Sequence, residues 1–147
     1  MYQRILVAVD GSPTSDLALD EAAKLARDQR ATVRIVHALD QVALVLDTPY
    51  VLQEFLDAAR KAGEDILERA KARMKAAGVE AETRLAGADS FGERVAALVN
   101  AEATAWPADL IVIGTHGRRG FSSVLMGSVA MGVVRTSTVP VLLVRGS

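Results

Sequence analysis

Apolar residues in this chain follow two alternating rhythms. Short, nearly unbroken runs, Ile5 to Val9, Val33 to His37, Leu110 to Ile113 and Val141 to Val144, have the length and β-branched character of strands buried on both faces. Between them the apolar positions recur every three or four residues. Leu17 to Asp28 reads as a helix with Leu19, Ala22, Ala23 and Ala26 on one face. Leu52, Phe55, Leu56, Ala59, Ile66, Leu67, Ala70 and Met74 trace the apolar stripe of a longer helix. Val95, Leu98 and Val99 mark a third helix, and Val129 to Thr136 a fourth. Val79, Ala81, Thr83 and Leu85 instead alternate, which predicts a further strand over Val79 to Leu85.

The punctuation agrees with these elements. Ser12 followed by Pro13 predicts an N-cap with proline at the first helical position. Gly78 is the stop signal of the long helix, and Ser90-Phe91-Gly92-Glu93 has the form of a capping box. Trp106-Pro107 ends the third helix. Gln41 to Tyr50 is apolar but carries Asp47 and Pro49, and reads as a loop or short lid. Strand and helix thus alternate five to four. That order predicts a single α/β domain over 1–147, an open doubly wound, mostly parallel five-stranded sheet with helices on both faces. Ligands of such sheets bind beyond the carboxyl ends of strands, where strand order reverses. The turn after strand one, with Asp10, and the glycine-rich loop after strand four are the candidate loops.

Composition narrows the chemistry. The net charge of −1 gives no general attraction to nucleic acid or to an anionic membrane. The absence of cysteine removes disulfides, thiolate catalysis and zinc–thiolate sites, and fits a reducing compartment. No apolar run approaches the length of a membrane span and no signal peptide is visible, so the expected location is the cytoplasm. Two histidines, His37 and His116, are too few and too far apart to suggest a metal cluster, and no metal ligands are assigned.

The strongest chemical signal is Gly114-Thr115-His116-Gly117, nine residues, then Gly127-Ser128. It is neither a Walker A loop, which needs Gly-Lys-Ser/Thr, nor a GxGxxG fingerprint. A strand that runs into glycines and then into a helix start can cradle phosphate, because backbone N–H groups close on an anion only where no side chain blocks them. In this reading Gly114 lets the backbone turn as the strand ends and Gly117 lets phosphate approach. Gly127, Ser128 and Val129 then supply N–H groups. Arg118 and Arg119 serve equally well as phosphate charge or as solvated loop arginines, and Ser122 and Ser123 as donors or as turn residues. Asp10 either caps its turn through an Asx hydrogen bond or accepts from a nucleoside hydroxyl. His37 fits a hydrogen-bonded core histidine, His116 a support for the glycine loop, and Trp106 a packing residue. No carboxylate pair, HExxH or GxSxG commits the chain to a reaction, and no catalytic residue is assigned.

These motifs carry a resemblance. Ile5-Leu6-Val7-Ala8-Val9-Asp10-Gly11-Ser12, the Gly114-x-x-Gly117-x9-Gly127-Ser128 pattern and Val139-Pro140-Val141-Leu142-Leu143-Val144 together resemble the universal stress protein family, in its ATP-binding branch, across nearly the whole chain. The resemblance implies strand order 3-2-1-4-5 with an adenine nucleotide across the switch point. It implies Ala8 and Asp10 at the adenosine end, Ala38 meeting adenine through its backbone, and Ile113, Gly114, Gly117, Gly127, Ser128 and Val129 along the ribose–phosphate path. It further implies ATP, ADP or AMP as ligand, Mg2+ or Mn2+ held chiefly by the phosphates, and a regulatory role in stress response. A homodimer through the last strand, Val141 to Val144, is expected on both grounds: the family dimerises, and an apolar final strand with no helix after it presents an unpaired edge. An unidentified protein partner would read nucleotide occupancy. Two alternatives stay open, a slow ATPase or phosphotransferase using Asp10 or His116, and an interaction scaffold with an empty loop.

Overall fold

The computed structural model describes residues 1–39, 52–87, 94–116 and 126–146. The elements are β1 (Arg4–Ala8), α1 (Pro13–Gln29), β2 (Thr32–Ala38), α2 (Leu52–Ala76), β3 (Ala81–Ala86), α3 (Val95–Ala105), β4 (Leu110–Gly114), α4 (Ser128–Thr136) and β5 (Val141–Val144). The five strands form one parallel sheet in the order β3-β2-β1-β4-β5, as the pattern and the resemblance predict. The segments Gln41 to Tyr50 and Ser90 to Glu93 lie outside the described residues.

Successive side chains of a strand point to opposite faces, so each buried strand feeds two cores. Ile5, Val7, Val33, Ile35, Leu110 and Val112 pack beneath α1 and α2, against Leu19, Ala22, Ile66, Leu67 and Met74. Leu6, Ala8, Val36, Ala38, Ile111 and Ile113 pack beneath α3 and α4, against Leu98, Val99, Ala103 and Val133. Alanines on α1 allow close helix–sheet approach, which accounts for the alanine-rich, aromatic-poor composition. The start of α1 follows its sequence signal: Ser12 Oγ accepts from Ser15 N–H at 3.2 Å, with Pro13 directly behind the cap.

Two expectations need correction. The apolar stripe of α2 does not reach the core along its whole length. It becomes buried from Gly63 onward, and Phe55 in the first turns is 44% exposed. Periodicity reports a helix with an apolar side, but not how far the sheet beneath it extends. The third strand is Ala81–Ala86, and Thr83 is exposed where alternation placed it inside. The reason is position: β3 is an outer strand of the sheet, paired with β2 along one edge.

That outer strand is dressed with charge. Arg34 on β2 donates to Glu82 at 3.0 Å and to the buried Glu102 of α3 at 2.7 Å, while Arg84 lies 3.5 Å from Glu102. The Arg34 guanidinium sits 4.9 Å above the centre of the Trp106 ring, so Trp106 packs against the protein as expected. On the other face Arg73 of α2 donates two hydrogen bonds to Asp20 of α1, at 2.8 and 2.9 Å.

Two predictions follow from these pairs. Glu102→Ala leaves Arg34 with a lost buried partner and lowers stability by about 1–3 kcal/mol, whereas Arg84→Ala, at an exposed site, costs less than about 1 kcal/mol. Urea denaturation of the two variants checks the ranking. The hydrogen bond from Arg73, aided by its charge, holds the Asp20 carboxyl below its ordinary range. A depressed folded-state pKa adds stability that is complete above the unfolded carboxylate range and lost as acid protonates Asp20. Asp20→Asn therefore narrows the stability difference between neutral pH and strong acid. The change is under about 1 kcal/mol because both partners are well exposed, and thermal melts across acid pH read it.

Candidate functional site

The order β2-β1-β4 sets three parallel strands side by side, so their carboxyl ends open on one rim. The chain moves outward to β2 and β3 on one side of β1 and to β4 and β5 on the other. The switch point therefore lies between β1 and β4. Ala8 ends β1 between Val36 and Ile113, Ala38 ends β2, and Gly114 ends β4. The side chains of Ala8, Ala38 and Ile113 belong to the core under α3 and α4. What they offer a ligand at the rim is backbone, and small size in the case of the alanines.

Asp10 and Gly11 form the turn above β1. Asp10 Oδ1 accepts from Ser12 N–H at 2.9 Å, an Asx turn, and Gly11 takes a φ of 82° that only glycine adopts without strain. The turn swings the chain directly into α1. Beside it His37 is hydrogen-bonded as expected, its Nδ1 lying 2.8 Å from the Val9 carbonyl.

Gly114 corrects one sequence expectation. It does not turn the backbone. It is the last residue of β4, paired with Val144. Its glycine identity answers to Thr14 in the first turn of α1: a Cβ at position 114 would lie 2.7 Å from Thr14 Cγ2 and 3.2 Å from Thr14 backbone atoms. The bare Cα lets α1 begin against the end of β4. Sequence inspection missed Thr14, since a glycine announces close approach but not which residue approaches.

The next residues join the sheet to α4. Thr115 N–H donates to Val144 O at 2.9 Å, and Thr115 O accepts from Gly127 N–H at 2.6 Å. Thr115 is buried, and its Oγ1 lies 2.9 Å from His116 Nδ1, while His116 Nε2 is buried without a hydrogen-bond partner. His116 thus bonds its neighbour Thr115 at the rim, while the glycine loop that it was expected to support lies outside the described residues. Gly127 is the N-cap of α4, and no side chain caps the helix. The first bond of α4 runs from Met131 N–H to Gly127 O, so the amides of Ser128, Val129 and Ala130 have no acceptor inside the helix. The Gly127 amide, expected to face an anion, is already engaged by Thr115, and the free donors begin at Ser128.

The structure therefore gathers Ala8, Asp10, Ile113 and Gly114 around the switch point. It ties Gly127, Ser128 and Val129 to the same rim through Thr115, and puts Ala38 at the end of the neighbouring strand. Gly117, Arg118, Arg119, Ser122 and Ser123 lie outside the described residues.

This fold and rim have known counterparts. The sequence matches the universal stress protein family over residues 1–145. The chain belongs to that family. Universal stress protein YxiE of Bacillus subtilis is 38% identical over 153 residues, spanning 99% of this chain and all of the relative. A universal stress protein solved in complex with cAMP is 32% identical, with a TM-score of 0.73 over 99% of both chains. A universal stress protein from Archaeoglobus fulgidus, solved in complex with dAMP, is 26% identical, with a TM-score of 0.69 over 97% of this chain and 98% of that one. Members of the family with this fold thus bind adenine nucleotides. Among the described residues, no helix is long and apolar enough to cross a membrane and no cluster of three metal-ligating side chains occurs.

The Thr14 contact yields a test of its own. Gly114→Ala forces a shift at the α1–β4 crossing and destabilises by about 1–3 kcal/mol. Thr14→Ser, which deletes the methyl nearest to position 114, recovers part of that loss in a double-mutant cycle. Equal stability of Gly114→Ala and the parent chain in urea would show that the crossing is loose.

Proposed function

We propose that this chain is a nucleotide-binding regulatory module of the ATP-binding kind, holding ATP across the carboxyl ends of β1 and β4. The observation that carries this reading is the start of α4: uncapped amides at Ser128 and Val129, anchored by Thr115 to the rim where strand order reverses. A helix start of this kind combines unpaired donors with a partial positive charge, the environment a phosphate needs. Relatives held in complex with cAMP and dAMP support an adenine nucleotide as the class of ligand.

Ala8 and Asp10 stand at the adenosine end, and the backbone at Ala38 meets adenine. The backbone of Ile113 and Gly114 follows the ribose. Gly117, Arg118, Gly127, Ser128 and Val129 follow the phosphates, with Ser128 and Val129 giving amides directly. Mg2+ or Mn2+ belongs to this assignment as a partner of the phosphates. Among the described residues the start of α4 presents amide donors suited to holding a phosphate, and in this reading the module reports nucleotide occupancy to a protein partner.

Titration calorimetry with ATP and Mg2+ tests it. Binding in the micromolar range, about 8 kcal/mol, is expected, and Gly117→Val removes it while circular dichroism is unchanged. Unaltered heat in the folded variant overturns the phosphate path.

The module works as a homodimer through β5. The two sheet edges differ in kind: β3 carries Glu82 and Arg84, while β5 is Val-Leu-Leu-Val without a charge. Exposed apolar side chains flank it, Leu142 on the strand and Met131 and Val134 on α4. An edge of unpaired backbone and apolar side chains is satisfied by the same strand of a second copy, related by a two-fold axis. Sedimentation should show a dimer for the parent chain and a monomer for Leu142→Lys; a parent chain that stays monomeric at high concentration overturns this assembly.

A further inference from the structure

We propose that pairing of β5 with a second copy and nucleotide binding at the β1–β4 rim strengthen each other. The inference rests on the nucleotide and dimer readings above and adds their coupling. Its basis is a continuous set of backbone contacts. β5 is four residues long and is held by β4 on one side only. Its last residue, Val144, accepts from Thr115 N–H, and the Thr115 carbonyl in turn accepts from Gly127 N–H. Gly127 is the cap from which the amides of Ser128 and Val129 project. Thr115 thus has the edge strand on its N–H and the anion-facing helix on its carbonyl.

A second contact closes the same circuit. Thr14 sits against two glycines at once. Its Cγ2 is 2.7 Å from where a Cβ of Gly114 would lie, and its Oγ1 is 2.9 Å from where a Cβ of Gly146 would lie. Thr14, the second residue of α1, therefore stands between Gly114 at the end of β4 and Gly146 just past the end of β5. Order in the tail of β5 reaches both halves of the site, the phosphate side through Thr115 and the nucleoside side through Thr14.

A short strand paired on one edge frays. Fraying releases Thr115 N–H and loosens the position of the α4 cap. A second copy bonded to the free edge suppresses that fraying, so part of the ordering that a nucleotide would otherwise have to impose is already present. The reverse holds equally, since coupling between two binding events is reciprocal. The sign is positive, and coupling of ordinary size tightens nucleotide binding per site about fivefold or more in the dimer. With two sites per dimer, the dimer constant shifts by the square of that factor.

Two measurements decide it. Sedimentation of the parent chain with and without saturating ATP and Mg2+ should show the dimer tightening. Calorimetry on the folded Leu142→Lys monomer should show ATP bound more weakly per site by the square root of that shift. If Leu142→Lys does not fold, calorimetry on the parent chain above and below its dimer constant gives the same comparison. Hydrogen exchange at the Thr115 and Gly127 amides should slow on dimerisation without nucleotide. ATP binding of normal strength with an unmoved dimer constant overturns the coupling and leaves the nucleotide reading standing. No heat from ATP in dimer or monomer overturns both. A chain that never dimerises overturns the coupling and the assembly alone.

Discussion

The structure turns on one crowded crossing. Where α1 begins, its first turn lies so close to the end of β4 that position 114 has no space for a methyl group. That approach fixes where the chain leaves β1, because Asp10, Gly11 and Ser12 must complete the reversal within three residues. The Asx bond to Ser12 and the positive φ of Gly11 are how they do it. It also fixes what stands at the rim. With the side chains of the strand ends turned into the two cores or replaced by hydrogen, those strand ends offer mainly peptide groups at the carboxyl edge of the sheet.

The opposite end of the same strands is closed. Asp109 accepts from the amides of Gln3 and Arg4 and donates its own N–H to Arg4 O, stitching the start of β1 to the start of β4. At the amino end the described backbone groups bond across the strands, while at the carboxyl end the start of α4 leaves the amides of Ser128, Val129 and Ala130 without an acceptor inside the helix. This asymmetry distinguishes the two ends of the sheet. It comes from parallel topology together with a helix that starts without a capping side chain.

Most of the fold was legible in the sequence. Short unbroken Val/Ile/Leu runs bounded by turn signals marked the strands, buried in β1 and β4 but partly exposed in the edge strand β5, and Ser12-Pro13 and Gly78 mark real boundaries. What periodicity could not supply was extent. Phe55 belongs to the apolar side of α2, yet is exposed, whereas the stripe is buried from Gly63 onward. Thr83 has the spacing of an inward residue, but an outer strand has less to turn inward against. At the rim, two glycines of the pattern have structural partners that the sequence did not announce. Gly114 is bare for the sake of Thr14, and the Gly127 amide serves Thr115. Both partners are distant in sequence from the residues they constrain, and pairings of that kind leave no local trace.

The unlike margins of the sheet carry a consequence for growth. A molecule adhesive along both borders would add copies without limit and lengthen into a ribbon. Here one border is guarded by Glu82 and Arg84, the latter drawn toward the buried Glu102 of α3, and offers an approaching strand ionic groups that would have to shed water. Adhesion confined to a single border would use itself up in the first encounter, so the proposed dimer would be finite by construction.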